Sequence, residues 1–149
     1  MAQQQTIEFF VPGIPATAGS KTGIFNKKLN RVLMVPANKR QKPWMAVVRT
    51  FAMAAMQANS IPITGPIELA LTFALPRPKG HFGSGARSEI VKKSAPPYPI
   101  TKPDLTKLIR AVEDALTGIC WKDDSQVVWQ QARKVYGRPG VNIRIKEAW

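Results

Sequence analysis

The sequence predicts a single α+β domain spanning residues 1–149, with two main helices packed on a mixed or antiparallel sheet. Three observations carry this. Runs with period-two alternation, such as Ile67–Leu75 and Val141–Lys146, read as strands with one buried face. Two stretches, Gln41–Asn59 and Leu105–Leu116, carry apolar residues at helical spacing. The order of these segments is strand, hairpin, helix, strand, loop, helix, strand, strand, with no internal repeat, which suits helices gathered against one sheet. At 149 residues and 44% hydrophobic, the chain is long enough for a core of its own.

The first strand is expected in T-I-E-F-F-V-P, ending at Pro12. A loop of small residues, Gly13 to Thr22, follows. It superficially resembles a phosphate-binding P-loop, but that motif needs four residues between its glycines and Lys directly after the second. Here five intervene, and Ser20 separates Gly19 from Lys21, so a nucleotide cofactor is not expected. Lys21 remains a candidate contact to a DNA phosphate. Thr22–Ala37 reads as a hairpin whose turn carries Lys27, Lys28 and Arg31. The helix over Gln41–Asn59 tolerates Pro43 in its first turn, and its apolar face is read as Trp44, Val47, Val48, Phe51, Ala55 and Met56.

Pro76–Lys102 is a long connection with no clear period, continuing to about residue 103. It carries Arg77, Lys79, Arg87, Lys92, Lys93 and Lys102 against the single acid Glu89. Long loops in compact domains tend to be functional or disordered. Two readings stand: a solvated loop, or a DNA-binding flap leading into the segment that follows. His81, the only histidine, has no Cys or His neighbour and makes no zinc site. The last two strands are expected at Val127–Tyr136 and Val141–Lys146, turned by G-R-P-G at 137–140, with Val141, Ile143 and Ile145 on one face and Asn142, Arg144 and Lys146 on the other.

Charge narrows the function. Twenty-two Lys and Arg against nine acids give a net charge of +13 and favour a polyanionic partner. One cysteine, Cys120, excludes an internal disulfide framework and reads as packing beside Trp121. With no signal peptide and no apolar run long enough for a bilayer, a cytoplasmic location with no membrane partner is expected.

Against that basic background, five of the nine acids fall in Lys102–Gln126: Asp104, Glu113, Asp114, Asp123 and Asp124. Pro103-Asp104 is a helix start signal. Leu105, Leu108, Ile109, Val112, Ala115 and Leu116 make an apolar stripe, and Gly118 marks the helix end. Asp104 and Asp114 are ten residues apart, about 15 Å along a helix, too far to share one ion. A carboxylate joining Asp104 must therefore come from another element, and Asp123-Asp124 is the best candidate, with one of the two facing the ion. The plain alternative keeps Asp104 as a helix cap, Arg110 and Asp114 as an exposed pair four apart, and Asp123-Asp124 as a turn.

The runs K-P-D-L-T-K-L-I-R-A-V-E-D-A-L-T-G and W-K-D-D-S-Q-V resemble the signature of RusA-type Holliday junction resolvases, small endodeoxyribonucleases common in phages and prophages. The close match covers about 25 residues and extends loosely over most of the chain. The resemblance implies Asp104 and Asp124 as metal-site carboxylates, Asp123 as a lesser member of the pair, and Arg110 at the basic position of the site. Thr106 stands where the family has a second Asp. It further implies Mg²⁺, or Mn²⁺ in its place, and a homodimer that nicks opposed strands of a four-way DNA junction. Lys21, Lys79, Lys92, Lys93, Lys102 and Lys107 would hold the DNA backbone. Two further classes stand beside a nuclease: a junction-binding protein without catalysis, and a general basic nucleic-acid-binding protein.

Overall fold

The computed structural model describes residues 4–19, 21–36, 38–57 and 60–148. Its elements are β1 (Thr6–Pro12), β2 (Lys21–Asn26), β3 (Arg31–Pro36), α1 (Gln41–Met56), β4 (Ile67–Leu75), α2 (Leu105–Leu116), β5 (Val127–Tyr136) and β6 (Gly140–Glu147). The architecture is α+β, as the alternating and helical periods predict. Four strands form one mixed sheet in the order β1-β6-β4-β5, and β2 and β3 form a separate hairpin.

The alternation in β4 is complete. Ile67, Leu69, Leu71, Phe73 and Leu75 are buried, while the residues between them are only partly covered. Register carries that face across the sheet: Leu71 pairs with Ile143, which pairs with Phe9. The helices close this side. Trp44, Met45, Val48, Ala52 and Met56 of α1 join Leu108, Ala111, Val112, Ala115 and Leu116 of α2 in one core cluster with the strands. The other face carries Glu8, Gln131, Arg133, Asn142 and Arg144.

Pairing departs from sequence order. β5 and β6 follow one another, but β6 lies between β1 and β4, antiparallel to both, and β5 runs parallel to β4 on its far side. The short link between β5 and β6 therefore crosses the end of β4, where Gly137 N–H donates to the Leu75 carbonyl at 3.1 Å. Gly140 is required at the far side of this crossing, since a Cβ there would sit 2.4 Å from the Phe10 ring and the Val11 carbonyl. β4 and β5 are the parallel pair, and the long basic segment and α2 make the crossover that a parallel pair demands.

The first helix ends earlier than its pattern suggests, at Met56, because Gln57 adopts φ 62°. Its face is also rotated from the expected one. Val47 and Phe51 are exposed, and Met45 and Ala52 take their place inside. A helix rich in apolar residues offers two stripes, and packing on α2 and β1 selects between them.

Residues 76–103 are not a featureless loop. They contain two short 3-10 turns, Lys79–His81 and Gly85–Arg87, and a bridge between Phe82 and Val91. Arg77 pins the root. Its guanidinium donates to the Pro96 carbonyl at 2.9 Å, lies 4.3 Å over the Tyr136 ring and stands 3.3 Å from His81 Nδ1. His81 in turn meets the Tyr136 ring edge-on, so it is spent on packing.

Candidate nuclease site

The acidic stretch folds around α2. Asp104 takes the N-cap position with extended backbone, and its carbonyl accepts the first helical bond from Leu108 N–H at 3.1 Å. Its carboxylate makes no capping bond. It is exposed and faces Lys107 Nζ at 3.6 Å. The helix-cap alternative thus holds for the backbone only. The segment entering Asp104 is fastened by Lys134, whose Nζ donates to the carbonyls of Thr101 at 2.9 Å and Pro103 at 3.0 Å. Nothing in the local pattern of β5 singles out Lys134 from the other basic residues. Across the first turn of α2, Ala18 N–H donates to the Lys107 carbonyl at 3.1 Å, and the Lys107 stem lies over Gly19.

Thr106 is exposed on that same first turn, and Arg110 and Asp114 follow it at spacings of four along the outward face. Arg110 and Arg49 both favour the charged form of Asp114.

At the other end, Thr117 caps α2 and Gly118 follows at φ 90°, donating to the Trp121 carbonyl at 2.6 Å. The two aspartates of the pair then divide their tasks. Asp123 Oδ1 accepts from Ser125 N–H at 2.8 Å, and Ser125, through its side chain first and this backbone bond second, holds the Asp123 carboxyl below the usual carboxylate range. It forms a reciprocal capping box with Gln126, whose Oε1 accepts from the N–H groups of Lys122 and Asp123. Gln126 Nε2 anchors the turn to the carbonyls of Ile63 at 2.8 Å and Gly65 at 3.0 Å. Asp123 is therefore the turn residue of the pair.

Asp124 points back to the helix. Its Oδ1 accepts from the Thr117 hydroxyl, and the Trp121 indole N–H lies 3.5 Å from it and 3.1 Å from Thr117 Oγ1. The Thr117 hydroxyl has one proton and a second acceptor in reach, the Glu113 carbonyl at 2.8 Å. Trp121 is fully buried, so this chain of bonds fixes the carboxylate to the core. Thr117 and Trp121 are positioning residues that periodicity does not flag, because Thr reads as a helix end and Trp as core.

Three carboxylates meet here electrostatically. Burial first, then Asp124, then Asp114 push the Glu113 carboxyl up, while a hydrogen bond from Gln130 acts the other way. Burial and Asp124 likewise raise Asp114. Repulsion of this kind is what a divalent cation or a DNA-bound counterion relieves.

The structure does not bring Asp104 and Asp124 together within one chain. They flank a helix of 12 residues, and at 1.5 Å per residue the span from Asp104 to Thr117 is about 20 Å. Among the described residues no group of three or more Asp, Glu, His or Cys could hold a metal ion. One chain thus keeps these carboxylates apart, at the two ends of α2. The candidate DNA contacts Lys79, Lys92, Lys93 and Lys102 are exposed on the basic segment, and Lys107 is half-buried beside Asp104. Lys21 opens β2, and its side chain lies outside the described residues.

Comparison with known proteins places this geometry. A family model described as "Endodeoxyribonuclease RusA" matches residues 15–146. The chain belongs to the RusA endodeoxyribonuclease family. It is also similar to a protein of Bacillus subtilis (strain 168) described as "Uncharacterized protein YqaN", with 33% identity over 144 residues, covering 95% of this chain and 96% of that one. The RusA match includes the basic segment, α2 and the Asp123-Asp124 turn as well as β4, β5 and most of β6. No helix among the described residues is long and apolar enough to cross a membrane.

Proposed function

We propose that this protein is a structure-specific endodeoxyribonuclease that binds four-way DNA junctions as a homodimer and cleaves them with Mg²⁺. The observation that carries the reading is a pair of exposed carboxylates, Asp104 and Asp124, framing the two ends of one helix in a chain of net charge +13. In a two-fold dimer whose α2 helices run antiparallel, the Asp104 end of one copy faces the Asp124 end of the other. Each site is then completed across the interface, and the symmetry supplies two sites for two opposed strands. Asp104 and Asp124 hold the ion, and Asp123 supports the turn that presents Asp124.

A bound Mg²⁺ supplies an activated water and charge stabilisation for the leaving oxygen. The chain's own residues position the rest. Trp121 and Thr117 orient Asp124. Arg110, exposed midway along α2, is placed to offset charge building on the phosphate. Lys79, Lys92, Lys93, Lys102 and Lys107 hold the backbone without reading bases. Lys21, following the small-residue loop after β1, is assigned the same task.

A second reading rests on Thr106. It is exposed on the first turn beside Asp104 but brings a hydroxyl and no charge. Weaker metal binding and slow or absent cleavage follow, with junction binding intact. A labelled four-way junction and the matching linear duplex, with and without Mg²⁺, separate the outcomes. Paired nicks restricted to the junction establish the nuclease, and selective binding without nicks establishes the second reading. Equal binding to both DNAs overturns both and leaves a general nucleic-acid-binding protein.

A further inference from the structure

Beside Asp104 lies a cavity of about 460 Å³ that the phosphodiester chemistry leaves unused. Its volume falls within the range of about 300–1,000 Å³ found for small-molecule sites. Separate parts of the chain build it: the loop after β1 from Ile14 to Thr17, the approach to α1 at Asn38 and Arg40, the end of β4 at Leu75, the two ends of the basic segment, and Tyr136 of β5. The lining ends at Pro103, the residue before Asp104 in the chain.

The lining has two kinds of surface. Five prolines, with Ile14 and Leu75, form apolar walls of restricted backbone. Tyr136 adds an aromatic ring that Arg77 and His81 already hold in place. Against these stand Thr17 and Asn38. Asn38 Nδ2 donates to Thr17 Oγ1 at 3.1 Å, and its Oδ1 accepts from Arg40 N–H at 3.0 Å. These bonds fix the orientation of the amide. Among the described residues, no hydrogen bond uses the Thr17 hydroxyl proton or the second lone pair of Asn38 Oδ1. One donor and one acceptor are thus left among the apolar lining. Arg40 and Lys102, both exposed, place two cations at the rim.

Apolar walls with an aromatic ring, an adjacent donor and acceptor, and cations at the mouth suit one ligand of this polyanionic substrate: a nucleobase whose flanking phosphates stay outside. We propose that this cavity receives a single unstacked base next to the phosphate held at Asp104. The inference rests on the junction-cleaving reading and deepens it. Extruding a base costs least where its stacking is weakest, and opening the arms of a bound junction weakens stacking at the branch point. Thr17 and Asn38 are then the residues that choose among bases, since a site that hydrogen-bonds its ligand discriminates against one that leaves its groups unpaired. The lysines of the backbone-holding set cannot do this, because phosphates carry no sequence information.

The test uses the full chain and four-way junctions carrying 2-aminopurine singly at each nucleotide flanking the crossover, with Ca²⁺ replacing Mg²⁺. Fluorescence at saturating protein reports unstacking, and a gel shift on the same junctions reports binding. One position is expected to brighten on binding while the others stay unchanged. Pro78→Trp, at the exposed rim, and Asn38→Ala are expected to cut that increase at saturation, with thermal melting confirming that each variant folds. Binding in the gel with no brightening at any position overturns the base-pocket proposal and leaves the nuclease reading standing. Brightening that survives in both folded variants places the unstacked base elsewhere and overturns it too. Loss of preference for the junction over linear duplex overturns the underlying reading, and this proposal with it.

Discussion

Asp104 and Asp124 stand at opposite ends of α2, the first as its N-cap and the second bonded to Thr117 at its C-cap. The helix between them rises roughly 20 Å from Asp104 to Thr117, too far for a single ion to bind both carboxylates from one chain.

A complementation experiment follows from that separation. Asp104→Asn and Asp124→Asn are each expected to abolish Mg²⁺-dependent cleavage while junction binding stays near wild type. Stability is expected to hold for Asp104→Asn, because an exposed pair such as Asp104–Lys107 contributes about 0–1 kcal/mol. Mixing the two inactive variants, after exchange of subunits, gives heterodimers with one intact composite site each, and about a quarter of the sites return. Nicking of a labelled junction reads the result. No recovery places both ligands in one chain and rejects the composite site. Where cleavage by the natural chain is too slow to score, the same mixture is made on a Thr106→Asp background.

Thr106→Asp is itself expected to raise Mg²⁺ affinity and cleavage together. The N-cap residue is not helical, so positions 104 and 106 are not held on opposite faces as they would be in mid-helix. Cleavage measured across a Mg²⁺ series checks this. Full activity of the natural chain at low millimolar Mg²⁺, unchanged by the substitution, removes the account of position 106.

Thr117→Val deletes the acceptor of the buried Trp121 N–H and the donor to Asp124. The expected loss is about 1–3 kcal/mol of stability, read by denaturant unfolding. Thr117→Ser keeps the hydroxyl and is expected to restore both stability and the Mg²⁺ dependence of cleavage.

Charge repulsion around Asp124 gives a pH signature. Burial first and Asp124 second raise the carboxyls of Glu113 and Asp114, so their protonated forms are favoured on folding, and the strain is released as pH falls toward their raised values. Asp124→Asn is expected to move both titrations down, with burial still holding Glu113 above its ordinary value. Side-chain carboxyl NMR across pH 3–7, the window around ordinary and raised carboxylate values, measures the change. Unmoved titrations separate Asp124 from these groups.

Replacing Lys92 and Lys93 with Gln is expected to weaken binding to DNA of every shape. The log–log salt dependence is expected to flatten by about one unit per lost phosphate contact. An unchanged slope places this part of the basic segment away from DNA.

The sequence by itself determined the elements and the chemistry at hand. Alternation in Ile67–Leu75 and the helical stripe of Leu105–Leu116 are local consequences of periods 2 and 3.6, and both elements form where those periods place them. The charge imbalance, the acidic stretch and its family resemblance needed no coordinates. Tertiary structure decided what depends on residues far apart in the chain. It set β6 between β1 and β4, and turned α1 so that Met45 and Ala52 are inside and Val47 and Phe51 outside. It also brought Asp124 to Thr117, seven positions back at the helix end, whereas the turn role of Asp123 is local, an Asp three residues before Gln126. Last, it held Asp104 and Asp124 at the two ends of a rigid helix. Neighbourhood in sequence bounds only how far apart two groups can lie, and a packed helix fixes how far apart they are.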